Sequence, residues 1–193
     1  TCTPGWPAKC ATFELPNTVN AMHAVKEATA LLATFIGTVA ADLGTKALAE
    51  QSLMQYGTRE VVGEWFRFSL GYNQGVAFGL FATDGPSVII VSGLATLLLA
   101  TWMVHALRTD RDRLPPSWVL GLLLGGAVAN LLDRLGDGRV TDFIDLGLGA
   151  YRWATFNLAD VFIVFGVGMI LLTSYRHSAE EAPEDVPAIS TPD

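Results

Sequence analysis

The sequence predicts an all-α membrane protein: four transmembrane helices with a small extracytoplasmic β-rich segment on the membrane surface. Three observations carry that expectation. Of the 193 residues, 51% are hydrophobic and only 16% charged, where a soluble domain usually carries about 25% charged residues. The mean hydropathy is +0.39. The apolar residues also fall into four blocks separated by polar connections.

The first block runs from Ala28 to about Leu48 and contains Asp42 and Lys46. The second, Pro86 to Leu107, has no Asp, Glu, Lys or Arg. The third, Ser117 to Leu132, then meets Asp133 and Arg134, and the fourth follows Asp160 and stays uncharged until Arg176. A bilayer core of ~30 Å needs ~20 helical residues. The second block meets that alone; the others reach it by including charged residues near one end. A soluble four-helix bundle fails as an alternative, because Ser117–Leu132 and Val161–Tyr175 offer almost no polar face to water.

The connections set the expected topology. Residues 108–116 hold Arg108, Arg111 and Arg113 in a short loop, whereas the longer connections 49–85 and 136–156 hold Arg59 and Arg67, and Arg139 and Arg152. Basic residues concentrate on the cytoplasmic side of membrane proteins, so the dense loop is expected inside. Both termini then lie inside, with 49–85 and 136–156 outside. Within the first outer segment, residues 64–70 alternate, with Phe66, Phe68 and Leu70 on one face, as a strand with one apolar side does. Trp65, Trp102, Tyr151 and Trp153 suit interface anchors or packing.

The ends read differently from the middle. Residues 1–21 carry three prolines and two cysteines without the pattern of a signal peptide. Met22 is the expected initiator, with 1–21 an extension from a start placed too early. Residues 177–193 carry five acids and no Lys or Arg and are expected to be disordered. That tail supplies most of the net charge of −7, so the charge says little about partners. No basic stripe for nucleic acid is present. Cys2 and Cys10 make no disulfide framework, and no His or Cys cluster has metal-ligand spacing. His23, His105 and His177 look incidental.

Ionisable residues within membrane spans are costly and are functional candidates. Helical rise places them in depth. From Lys26 to Asp42, from Ser117 to Asp133, and from Arg176 back to Asp160 are each 16 residues, or roughly 24 Å. Three helices thus deliver a carboxylate to one layer, just inside the outer interface, with Lys46, Asn130, Arg134 and Asn157 nearby. Asp42 and Lys46 share a helix face, as do Asn130 and Arg134. Asn157 and Asp160 also fit simple capping of the fourth helix. Asp133 and Arg134 fit a snorkelling pair at a helix end.

These residues resemble the bacterial lipoprotein signal peptidase (signal peptidase II) family. Five motifs stand in that family's order: Asp42-Leu-Gly-Thr45-Lys46; Asn73-Gln-Gly75-Val-Ala77-Phe78; Gly125-Gly126-Ala-Val-Ala-Asn130-Leu-Leu-Asp133-Arg134; Gly138-Arg-Val140-Thr-Asp142-Phe143; and Phe156-Asn157-Leu-Ala159-Asp160. Ala129 stands where the family usually has Gly. The resemblance implies an aspartic endopeptidase that removes the signal peptide from prolipoproteins, just before a diacylglyceryl-modified Cys. It implies Asp142 and Asp160 as catalytic carboxylates, with no cofactor and no metal. The outer loop then folds Asp142 back onto the top of the fourth helix, held by Val140, Phe143, Ile144 and Leu146. Asn73, Asn130, Arg134 and Asn157 are expected to bind substrate or orient the dyad. Asp42, Lys46 and Asp133 are expected to brace the site. Asp145, off the regular alternation, is expected in solvent.

Two close carboxylates do not both ionise easily, so one keeps a proton; the sequence leaves open which one, because such a pair titrates as a unit. The expected partners are prolipoprotein substrate and membrane lipid, and the expected state is a monomer. A proton-coupled transporter would instead place its charges near mid-membrane and show an internal repeat. A non-catalytic scaffold would need no acid pair.

Overall fold

The computed structural model describes residues 18–75 and 86–180. The elements run α1 (Thr18–Tyr56), β1 (Arg59–Val62), β2 (Phe66–Asn73), α2 (Pro86–Thr109), a 3-10 turn (Arg111–Arg113), α3 (Ser117–Asp137), β3 (Val140–Leu148), β4 (Tyr151–Arg152) and α4 (Leu158–Glu180). All four helices are long and apolar enough to cross a membrane. The protein is therefore a four-helix membrane protein with a small antiparallel sheet, as the four apolar blocks predict. Residues 1–17 and 181–193, which hold most of the expected N-terminal extension and acidic tail, lie outside the described residues. So does the part of the Asn73–Phe78 motif after Gly75.

The helices outrun the sequence expectation at their ends. α1 has 39 residues, about 58 Å at ~1.5 Å per residue, so it projects well beyond a ~30 Å hydrocarbon core. It takes in Thr18–Ala21 at one end and residues 49–56 at the other, and α4 takes in 177–180. The apolar block marks the part of a helix that meets lipid, and the polar flanks need only keep their hydrogen-bonded ladder.

α3 is the centre of the bundle. Its buried face includes Val119, Leu120, Leu123, Gly125, Gly126 and Ala129, and α1 and α4 pack on it through close backbone approach. A Cβ on Gly125 would sit 2.8 Å from the Thr38 Cβ, and one on Gly126 would sit 2.7 Å from the Ala159 carbonyl oxygen. In lipid no hydrophobic force drives helices together, so small residues that let backbones approach carry the packing. The lipid-facing surface is apolar, with Leu97, Leu98, Val164 and Leu171 exposed.

The sheet caps one end of the bundle in the order β1-β2-β3-β4, each neighbour antiparallel. Its first hairpin comes from the expected β segment, shifted from 64–70 to Phe66–Asn73. Phe66 and Phe68 meet edge to face with centroids 5.0 Å apart, and Phe68 packs on Phe143 at 6.2 Å. The other two strands come from 136–156, which the sequence reading leaves as a glycine-rich loop. Gly138 makes that continuation possible: it ends α3 at φ +81°, and its amide donates to the Arg134 carbonyl at 2.8 Å. A left-handed residue here favours Gly, and the chain turns directly into β3.

Candidate active site

Asp160 and Asn157 open α4 as a reciprocal cap. The Asp160 amide donates to Asn157 Oδ1 at 3.1 Å, and the Asn157 amide donates to Asp160 Oδ2 at 3.2 Å. The capping reading is therefore right, and it does not exhaust either residue. With its oxygen occupied by the Asp160 amide, the Asn157 side chain is left with its Nδ2 as donor. That group donates to Asp142 Oδ1 at 2.7 Å. One fully buried asparagine thus joins the two carboxylates that the sequence singles out.

Asp142 arrives on β3, which runs antiparallel to β2 with Asp142 opposite Gly71 and Val140 opposite Asn73. It is 3% exposed. Burial pushes its carboxyl up from 3.8 to about 7, and the neighbouring Asp160 adds to the rise, while the hydrogen bond from Asn157, the charge of Lys46 and the nearby Asn73 amide pull it back. Asn73 therefore faces the site as expected. Its Oδ1 accepts from the Gly75 amide at 2.9 Å, which turns the chain so that the Gly75 carbonyl accepts from Arg134 Nη2 at 2.8 Å.

The helical layer assembles around Asp160. Asn130 Nδ2 donates to Asp160 Oδ1 at 2.9 Å, and Lys46 Nζ donates to Asn130 Oδ1 at 2.8 Å. An ammonium has only donors, so it fixes which end of the Asn130 amide faces Asp160. Lys46 also pairs with Asp42 at 2.7 Å and Asp133 at 3.2 Å. Asp42 Oδ1 accepts from the Ala159 amide at 2.8 Å, and Asp133 Oδ2 accepts from the Thr141 amide at 2.8 Å. Asp42, Lys46 and Asp133 are thus a brace: one acid grips the start of α4, the other the residue before Asp142. Arg134 Nη1 donates to the Asn130 carbonyl at 3.2 Å, and among the described residues its buried Nε has no hydrogen-bond acceptor.

The expectation for Asp145 is wrong. Its residue is 4% exposed, and it is held by Arg67 on β2, with Nε and Nη2 donating at 3.0 and 2.8 Å, and by Arg152 on β4, with Nε donating at 2.9 Å. Burial works against its charge, but those two guanidinium groups keep its carboxyl below the usual carboxylate range. Alternation misleads here because β3 lies between neighbours whose long side chains fold over it. The sequence reading also misses Glu50, which accepts from the Thr141 hydroxyl at 3.0 Å because α1 runs beyond its apolar block. Trp65, Tyr151 and Trp153 are exposed, as anchors require. Among the described residues, no three His, Cys, Asp or Glu side chains form a metal-binding group.

Comparison with known proteins converges on one family. A structure described as a bacterial membrane enzyme, determined by the in meso method at 2.3 Å resolution, shares the fold with a TM-score of 0.64 at 21% identity, over 81% of this chain and 94% of that one. The lipoprotein signal peptidase of Syntrophotalea carbinolica is 38% identical over 154 residues, 76% of this chain and 89% of the relative. That of Solibacter usitatus is 36% identical over 149 residues, 74% and 88% of the two chains. The family model for signal peptidase (SPase) II matches residues 34–176, a span that takes in all five motifs, and on that match and those relatives this chain belongs to the signal peptidase II family.

Proposed function

We propose that the protein is an aspartic endopeptidase that removes the signal peptide from diacylglyceryl-modified prolipoproteins, with Asp142 and Asp160 activating water. The observation that carries this reading is the pairing of the two carboxylates through Asn157, whose Nδ2 lies 2.7 Å from Asp142 while its backbone and Oδ1 cap Asp160. The family membership supports the substrate class.

The surroundings divide the roles. Asp160 receives donors at both oxygens and lies in the first turn of α4, where the helix dipole favours negative charge. It is the general base. Asp142, whose carboxyl is raised to about 7, holds the proton. Asp160 takes a proton from water as the oxygen attacks the scissile carbonyl. Asp142 gives its proton to the carbonyl oxygen, which stabilises the tetrahedral intermediate. As the C–N bond breaks, Asp160 returns a proton to the leaving amine and Asp142 recovers its own. Arg134, whose buried Nε has no acceptor among the described residues, and Asn73 bind the substrate backbone. The positive-inside asymmetry puts both termini in the cytoplasm and the sheet outside, so cleavage occurs at the outer leaflet of the cytoplasmic membrane. Acyl chains stay in lipid during entry, since they gain nothing by leaving it.

The test is cleavage by the purified protein of a prolipoprotein with and without its diacylglyceryl group. The expected result is cleavage of the modified form before the lipidated Cys, retained in EDTA. Cleavage of neither form, or loss in EDTA with recovery on adding zinc, overturns the reading.

A further inference from the structure

Two amide side chains act on Asp142 from separate stretches of chain, Asn157 by a hydrogen bond of 2.7 Å and Asn73 by its nearness. Asn73 is at the end of β2, and Asn157 follows β4 after an excursion that leaves β3, turns, and returns to bridge Ile144 through Phe156. Both stretches are tied to one carboxylate. Arg67 fixes β2 to Asp145 through two hydrogen bonds to Oδ2. Arg152 closes the returning segment on the same residue, donating from Nε to Asp145 Oδ1 and from Nη2 to the Asp145 carbonyl at 3.1 Å. It also donates to the Glu64 carbonyl in the β1–β2 turn. Asp145 is three residues along the strand from Asp142.

We infer that Asp145 is a positioning residue for the reaction: with Arg67 and Arg152 it forms a clamp that sets how closely Asn73 and Asn157 approach Asp142. This rests on the dyad reading above. The clamp touches neither substrate nor water; it acts through the two asparagines. A forked guanidinium on each side fixes direction as well as distance, and the carboxylate is removed from water, so the pairing is little screened. Loosening it lets both amides drift from Asp142, and misplacement of about 1 Å can cost ~100-fold in rate.

The inference separates a clamp from a mere fold staple. The hydrogen bond from Asn157 and the nearby Asn73 amide lower the proton affinity of Asp142; when they draw back, Asp142 keeps its proton to higher pH. Asp160 on α4, Arg134 and Asp133 on α3, and Lys46 and Glu50 on α1 are the other charged groups facing this part of β3, and these contacts do not pass through the clamp. Turnover of a fluorogenic lipopeptide carrying a diacylglyceryl-cysteine is measured against pH for the wild type, Asp145→Asn, and the double variant R67K/R152K. The double variant keeps every charge and loses the forked contacts.

Asp145→Asn is expected to lower kcat by roughly 10- to 100-fold, with KM changed less than about twofold. The alkaline limb should move up by roughly half a pH unit or more. The double variant should move it the same way by less. Unchanged kcat in both variants, or a lower kcat with an unmoved limb, overturns the inference, because a staple that only reduces the folded fraction scales the whole profile. Asp142→Asn is run beside them. Turnover in that variant defeats the dyad reading, whereas a dead Asp142→Asn with an unmoved Asp145→Asn limb defeats the clamp alone.

Discussion

The site has two halves built in different ways. One is helical: Asp42, Lys46, Asn130, Asp133 and Asp160 come from α1, α3 and α4, and their hydrogen bonds run between helices packed on Gly125 and Gly126. The other is carried on strands: Asn73, Asp142 and Asp145 lie on β2 and β3, with Arg67 and Arg152 across them. The helical half is held by close packing of α1 and α4 on α3. The strand half depends on pairing between segments about seventy residues apart and on the ion pairs of the buried Asp145. The helical half thus rests on close helix packing, and the strand half, which brings Asp142, rests on strand pairing and charge.

Each half supplies one carboxylate, so the strongest test treats them alike. Asp142→Asn and Asp160→Asn should each lower turnover by at least ~100-fold, the lower range for losing a positioned acid or base, while membrane insertion is unchanged. Cleavage of a lipid-modified substrate by each purified variant checks it. The pH profile then tells the halves apart. With Asp142 as the acid and its carboxyl near 7, activity falls as pH rises through that value. Stability follows the same carboxyl. Between about 4 and 7 the folded protein keeps a proton that the unfolded chain releases, so stability declines as pH rises through that window. Asp142→Asn removes the penalty, and its unfolding temperature relative to wild type should be higher at pH 8 than at pH 4. An equal difference at the two values would show that Asp142 is not held protonated by the fold.

Breaking the helical half alone should damage stability more than chemistry suggests. Lys46→Met leaves Asp42 fully buried with no cation beside it, with Asp133 also deprived of its partner. Removing one member of a buried ionic group costs roughly 3–5 kcal/mol. Freed from the ammonium, Asn130 also no longer has a fixed amide orientation toward Asp160. Thermal unfolding in detergent measures the loss, and a variant as stable as wild type would show the brace to be dispensable.

The two halves also differ in how far the sequence discloses them. Helical rise and i,i+4 spacing put Asp42, Lys46, Asn130, Asp133 and Asp160 at one depth without any structure, because a helix fixes its own geometry locally. Strand pairing is not local. Nothing near Asp145 indicates that Arg67 and Arg152 will close on it, so its place off the regular alternation reads as solvent, and the glycine-rich stretch 136–156 reads as loop although it supplies β3 and β4. Asn73 is legible only through the family motif. The sequence reading names Asp142 and Asp160, which Asn157 joins in the structure, but not the scaffold that sets the distances around Asp142.

Asn73→Ala probes the strand half at its contact with the site. It removes the amide beside Asp142 and the acceptor for the Gly75 amide. The expected loss in turnover corresponds to ~1–3 kcal/mol, about 5- to 150-fold, at limiting substrate. Wild-type turnover would make β2 a spacer and leave Asn157 as the sole amide acting on Asp142.

The smallest effect is expected where neither half is touched. At the opposite end of the bundle Arg111 pairs with Glu27 and donates to Ser117 at 2.7 Å. The resemblance to the Asp42–Lys46–Asp133 brace is only formal. The Arg111 and Glu27 side chains are 35% and 50% exposed, so water solvates both charges and salt screens them. Glu27 precedes Asp42 by 15 residues of α1, about 22 Å of helix. Arg111→Gln should therefore change stability by no more than ~1 kcal/mol and leave turnover and its pH profile unchanged. Unfolding temperature and lipopeptide cleavage measured on the same preparation check it. A change in the alkaline limb would mean that the far end of α1 communicates with Asp142, and the division of the site into separate helical and strand halves would have to be abandoned.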